Sequence, residues 1–145
     1  MVSEENVTLI RSALPGPEID LVAAFADSDL TDQLGPLLHP EFTSVLHMPG
    51  GESTTSRGLE GFRRGWLDWL TPWASYRIEI EEIIDVGDGE RVVTVVCDYA
   101  RREPGAPEVP LKTATLWTVR DGLIACVEFY PGGRAEALKA VGLAE

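Results

Sequence analysis

Residues 91–130 read RVVTVVCDYA RREPGAPEVP LKTATLWTVR DGLIACVEFY, and this stretch decides the fold. The segments 91–102, 109–119 and 123–130 are rich in β-branched and aromatic side chains, which suit a pleated, half-buried surface. The Pro-Gly loop at 104–107 separates the first two, and Arg120-Asp121-Gly122 fits a tight hairpin turn between the last two. Just upstream, residues 76–85 form a fourth such run, closed by Gly87-Asp88-Gly89. Four consecutive runs joined by short turns pair as an antiparallel meander.

Outward from the meander the periodicity changes. Between residues 58 and 73, Leu59, Phe62, Trp66, Trp69 or Leu70, and Trp73 recur every three or four positions, which predicts a helix with one aromatic face, ended near Pro72. Residues 42–48 read as a short strand, and Pro49-Gly50-Gly51 opens a polar loop through Ser56. Three helices are predicted before that: 4–14, stopped by Pro15-Gly16-Pro17; 18–26; and 29–38, capped by Ser28 and ended by His39-Pro40. After the meander, Pro131-Gly132-Gly133 breaks the last strand, and residues 134–141 resume helix. Helices followed by a run of strands define an α+β fold, and strands this long must coil. The expectation is one domain over residues 1–145, a cone-shaped, strongly curved antiparallel sheet packed on N-terminal helices around an internal pocket.

Composition removes several function classes. Asp and Glu number 24 against 12 Lys and Arg, and the resulting net charge of −12 repels nucleic acid and anionic lipid surfaces. Glu4 and Glu5 stand where a signal peptide needs positive charge, and no apolar run reaches membrane-spanning length, so a cytoplasmic location is expected. Cys97 and Cys126 have no metal-ligand spacing and fit a reducing compartment. There is no phosphate-cradling glycine loop and no nucleophile elbow.

Strand parity selects the side chains that share a face. On 91–102, Val92, Thr94, Val96, Asp98 and Ala100 alternate with Val93, Val95, Cys97 and Tyr99. On the last strand Ile124, Cys126, Glu128 and Tyr130 alternate with Leu123, Ala125, Val127 and Phe129. Both faces are largely apolar, which calls for helices on the concave side and predicts a homodimer through the convex face. Asp98 and Glu128 are single acids in these surroundings, and a buried carboxylate is costly unless paired or protonated. Pattern alone leaves two readings open for each: a solvent-facing or locally bonded acid, or a functional one. The same holds for His47, and for Trp66, Trp69, Trp73 and Trp117, which are core or stacking walls for a ligand.

Several strings resemble the SnoaL-like and ketosteroid-isomerase-like branch of the nuclear-transport-factor-2-like superfamily: residues 5–11 (ENVTLIR), 57–62 (RGLEGF), 116–122 (LWTVRDG) and 134–143 (RAEALKAVGL). The resemblance spans nearly the whole chain and implies a pocket for a small apolar organic ligand. Val45-Leu46-His47-Met48-Pro49 resembles the Tyr-x-Asn-Met-Pro string of limonene epoxide hydrolase, a member of that superfamily. The match implies that His47 stands for a water-holding Asn, and Asp98 and Glu128 for two Asp, all facing one pocket. Val45 stands at the Tyr position and Val96 at that of an Arg linking the two acids, while Arg101 has parity opposite to Asp98. Combined with parity, the expected floor is Val96, Asp98, Ala100, Leu111, Thr113, Thr115, Cys126, Glu128 and Tyr130, with His47 at one side and Val45 and Trp66 also lining the pocket.

Two carboxyl groups in one apolar cavity would not both ionise, so one acts as base while its neighbour donates a hydrogen bond. The implied function is proton transfer next to the carbonyl of an apolar compound, as in an isomerase or aldol-type polyketide cyclase. Asp98 or Glu128 would be the base and His47 the proton donor, with no metal or organic cofactor. A non-catalytic ligand-binding or regulatory module is the alternative, and epoxide hydrolysis a third reading.

Overall fold

A computed structural model describes residues 2–27, 29–48 and 50–143. Helix α1 spans Val2–Ala13 and places Ile10 and Ala13 in the core. The Asn6 side chain donates to the Gly89 carbonyl at 2.9 Å, which ties the helix to a distant turn. The next helix, α2, is Leu21–Ala26 and starts three residues later than the pattern suggests, because Asp20 caps it by accepting from the Val22 N–H. Helix α3 is Asp29–Leu34, followed by a single 3-10 turn, Gly35–Leu37. The predicted Ser28 cap and the turn residue Pro49 lie outside the described residues.

The third helix was expected to reach residue 38, but β1 already begins there and runs Leu38–His47. Pro40 disfavours helical backbone at His39, so the chain is extended from this point. The polar loop contains a further strand, β2, Ser53–Arg57, whose exposed STTSR sequence shows no apolar alternation to read. Helix α4 is Gly58–Leu70 and buries Phe62 and Leu70. The meander follows as β3 (Ser75–Asp85), β4 (Arg91–Arg101), β5 (Val109–Arg120) and β6 (Leu123–Tyr130), and α5 (Arg134–Ala140) ends the fold.

All six strands form one sheet in the order β2-β1-β6-β5-β4-β3. The meander and the β1–β2 hairpin are antiparallel, whereas β1 joins β6 in parallel. Asp121 and Gly122, both at positive φ (55° and 74°), make the tight turn between β5 and β6. Register shifts at Ile80/Glu82 in β3 and at Thr118/Val119 between β5 and β6 add twist and curl the long strands.

The concave face holds the main core, where Tyr76, Ile78, Val92, Ala100, Trp117, Ile124 and Val127 meet α1, α2 and α4. A smaller core lies on the convex face: Val93, Val95, Ala114 and Leu116 pack with Tyr130 and with Ala137 of α5. The chain's own last helix thus covers part of this face, and Arg134 also pins it to Glu82 at 2.8 Å. Beside it the convex face carries paired charges, Arg77 with Glu79 and Glu108, and Lys112 with Glu81. Among the described residues no helix is long and apolar enough to cross a membrane.

Candidate active site

Asp98 projects from the middle of β4 into the concave interior and is 5% exposed. Its partners come from the two neighbouring strands. Tyr76 on β3 pairs in register with Ala100, two residues from Asp98, which makes it a diagonal neighbour on the same face. Its hydroxyl donates to Asp98 Oδ2. From β5 the Thr113 hydroxyl donates to Oδ1 at 3.3 Å. The Trp69 indole N–H of α4 then donates to the Tyr76 oxygen at 2.9 Å, so a relay of donors runs Trp69, Tyr76, Asp98. Asp20 fixes the far end of this array, since its Oδ1 accepts from the Tyr76 backbone N–H at 3.0 Å as well as capping α2.

Burial pushes the Asp98 carboxyl up to about 6, from an ordinary 3.8, and the bonds from Tyr76 and Thr113 pull it partly back. Burial, reinforced by the Asp98 charge, also lifts the Tyr76 phenol well above its ordinary value, so that Tyr76 keeps its proton and stays a donor. No basic side chain contacts Asp98 among the described residues.

Two cavities meet at this carboxylate. The outer one, about 440 Å³, opens between α4 and the β1–β2 hairpin, with Trp66 and Trp69 facing Ser44, Leu46, Thr54 and Ser56. The inner one, about 70 Å³, lies beneath α1, α2 and α3 and includes Leu21, Phe25, Phe42 and Val96 in its wall. Phe62, Trp66, Asp98, Thr113 and Phe129 border both. The outer volume falls in the range of small-molecule sites.

Of the expected floor, Val96, Thr113 and Thr115 line the inner cavity. Ala100 and Leu111 pack into the adjoining core. Trp66 borders both cavities, and Val45 and Tyr130 border the outer one.

Glu128, Cys126 and His47 do not share the face of Asp98. Glu128 pairs with Leu116 of β5 and Val45 of β1, and Leu116 belongs to the convex core beneath α5. There the His47 ring lies 2.9 Å from the Glu128 carboxylate and stacks on Tyr130 at 4.6 Å between centroids. The physical cause is the register shift after Thr118: Ile124 pairs with Val119 and Cys126 with Thr118, so Ala125 is an extra residue. That residue interrupts the alternation, leaving Ile124, Val127 and Phe129 concave and Cys126, Glu128 and Tyr130 convex. The two acids therefore lie on opposite faces of the sheet. Of β1 and the residue after it, Ser44, Val45, Leu46 and Met48 line the outer cavity, and His47 does not. Among the described residues no three His, Cys, Asp or Glu side chains are grouped to hold a metal ion.

Residues 19–127 match the family model described as SnoaL-like domain. Among solved structures, the chain is similar to a candidate SnoaL-like polyketide cyclase from Jannaschia sp. CCS1, with a TM-score of 0.68 and 15% identity over 99% of this chain and 95% of that one. TerC, crystallised with polyporic acid, superposes with a TM-score of 0.62 and 21% identity over 94% and 97% of the two chains. An NTF2-like protein of unknown function from Mesorhizobium loti gives 0.59 and 19% over 90% and 93%. At these identities the likeness is one of fold. No curated protein matches the chain.

Proposed function

The chain belongs to the SnoaL-like domain family, and we propose that it moves a proton next to the carbonyl of an apolar small molecule, with Asp98 as the base. One observation carries this reading: a carboxylate without a cation partner, raised by burial to about 6, borders a cavity of about 440 Å³ while two hydroxyls hold it. A base of that strength works near neutral pH. In the step, an Asp98 oxygen takes the proton from the carbon beside the carbonyl. The C–H electron pair becomes the enolate double bond, and the carbonyl π pair moves to oxygen. Returning the proton to another carbon gives isomerisation, and attack of the enolate carbon on a second carbonyl gives an aldol-type ring closure.

The substrate class follows from the walls. Trp66, Trp69, Phe62 and Phe129 suit a flat, apolar body, and the hydroxyls of Ser44, Thr54 and Ser56 suit its oxygen substituents. TerC, which shares the fold, was crystallised with polyporic acid, and this supports an aromatic, oxygenated ligand. The test is exchange of the α-protons of 2-tetralone in D2O, followed by NMR. The wild type should catalyse exchange, and Asp98→Asn should slow it by about 10²-fold or more. An equal rate in that variant would remove Asp98 as the base.

Ligand carriage without chemistry is the second reading, supported by the separation of His47 and Glu128 from Asp98, which among the described residues leaves it bonded to the Tyr76 and Thr113 hydroxyls and to no second carboxyl or imidazole. A compound recovered unchanged from the purified protein, with no exchange of any ketone, would favour carriage.

A further inference from the structure

We infer that the inner cavity is a subsite for a short alkyl group, of about two carbons, carried on the reacting carbon of a flat ketone whose body fills the outer cavity. The inference rests on the reading that the ligand's reacting carbon sits at Asp98, and it adds to that reading a rule for the substituent. Asp98 and Thr113 stand in the wall common to both cavities, so a molecule reacting at Asp98 has one side toward each.

The two sides differ in chemistry. The outer cavity offers the hydroxyls of Ser44, Thr54 and Ser56. In the inner one the polar side chains are Asp98, Thr113 and Thr115, all on β4 and β5, and the opposite wall of Leu21, Phe25, Leu34 and Phe42 is apolar. A water there needs two to four polar partners, and Thr113 already spends its proton on Asp98. An alkyl group needs none. At about 70 Å³ the space takes roughly two groups of water size, each about 30 Å³. A methyl or ethyl group therefore fits, and a butyl chain does not.

The naphthols are flat mimics of the enol, so binding of 2-naphthol and its 1-methyl, 1-ethyl and 1-butyl derivatives, read by tryptophan fluorescence, tests this directly. Methyl and ethyl should each tighten Kd by about three- to fourfold per carbon, and butyl should lose the gain. Ala13→Leu narrows the inner cavity alone and should abolish the ethyl advantage while leaving 2-naphthol within about twofold. Val96→Ile, a smaller change in the same wall, serves if the first variant does not fold. Equal affinity for all four compounds, or an ethyl advantage that survives both variants, would overturn the subsite while leaving the exchange assay with 2-tetralone untouched. Absence of binding by every naphthol would also overturn it. Loss of exchange with binding intact would fall on the proposed function alone.

Discussion

The Tyr76 hydroxyl donates to Asp98 Oδ2 across the β3–β4 pair, inside a chamber whose other walls are mostly apolar. The bond stabilises the charged carboxylate, yet burial outweighs it and leaves the group at about 6. Asp98 is therefore neutral in mild acid and charged in mild base, at a site where charge is costly.

That position gives stability a pH dependence of known sign. The folded chain holds the Asp98 proton up to about pH 6, whereas the unfolded chain releases it near 3.8. The contribution is full below pH 4 and is lost as the pH rises through 6, a total of about 3 kcal/mol for a shift of roughly two units. Asp98→Asn cannot lose it. Urea unfolding at about pH 4 and about pH 8 should show the variant gaining on the wild type by about 3 kcal/mol across that interval, whatever the other carboxylates do. A constant difference would mean that the carboxylate is hydrated in the folded chain.

Tyr76→Phe removes the donor and leaves the Trp69 N–H without its acceptor. Without that bond Asp98 should titrate higher by about one unit, because a hydrogen bond to a charged group contributes roughly 1.5–3 kcal/mol. The acid limb of the exchange rate against pH should move up accordingly, with most activity recovered at higher pH. A uniformly lower rate with an unmoved limb would assign Tyr76 a packing role only.

The fold was legible from the meander because turn chemistry and β-branched runs mark its strands in order. β2 was not, since STTSR pairs through its backbone and carries no pattern. Parity within β4 correctly grouped Val96 and Asp98, but parity within β6 failed at Ala125, where one extra residue changes the face. Nothing local in Leu123–Tyr130 announces that shift; it arises from pairing with β5. Tyr76 was hidden in the same way: the register that begins at the 87–89 turn with Asp85 opposite Val92 shifts by one residue between Ile80 and Glu82, and that shift is what brings Tyr76 opposite Ala100 and diagonal to Asp98. The chain's own cover for the convex face was also hidden, since nothing in residues 134–141 says which surface the helix meets.

The separation of the faces can be tested at His47 and Glu128. Their contact is half-exposed and lies behind the sheet from Asp98. His47→Ala and Glu128→Gln should leave the exchange rate within about threefold and cost at most about 1 kcal/mol in urea unfolding. A loss of exchange as large as that of Asp98→Asn would restore them to the reacting centre.

Asp20 links the helical layer to the site, because one carboxylate oxygen accepts from the Val22 N–H at the start of α2 and from the Tyr76 N–H on the edge strand β3. Tyr76 is fully buried, and among the described residues no further strand lies beyond β3 to take that N–H. Asp20→Ala therefore loses a helix cap and leaves a buried donor unpaired, a cost of about 2–3 kcal/mol. Asp20→Asn keeps an acceptor oxygen and should recover most of it. If the Asp20 bond also sets the position of the Tyr76 ring, the exchange profile of Asp20→Ala should move in the same direction as that of Tyr76→Phe. Urea midpoints together with the pH profile separate the two effects: lower stability with an unmoved profile would confine Asp20 to the scaffold.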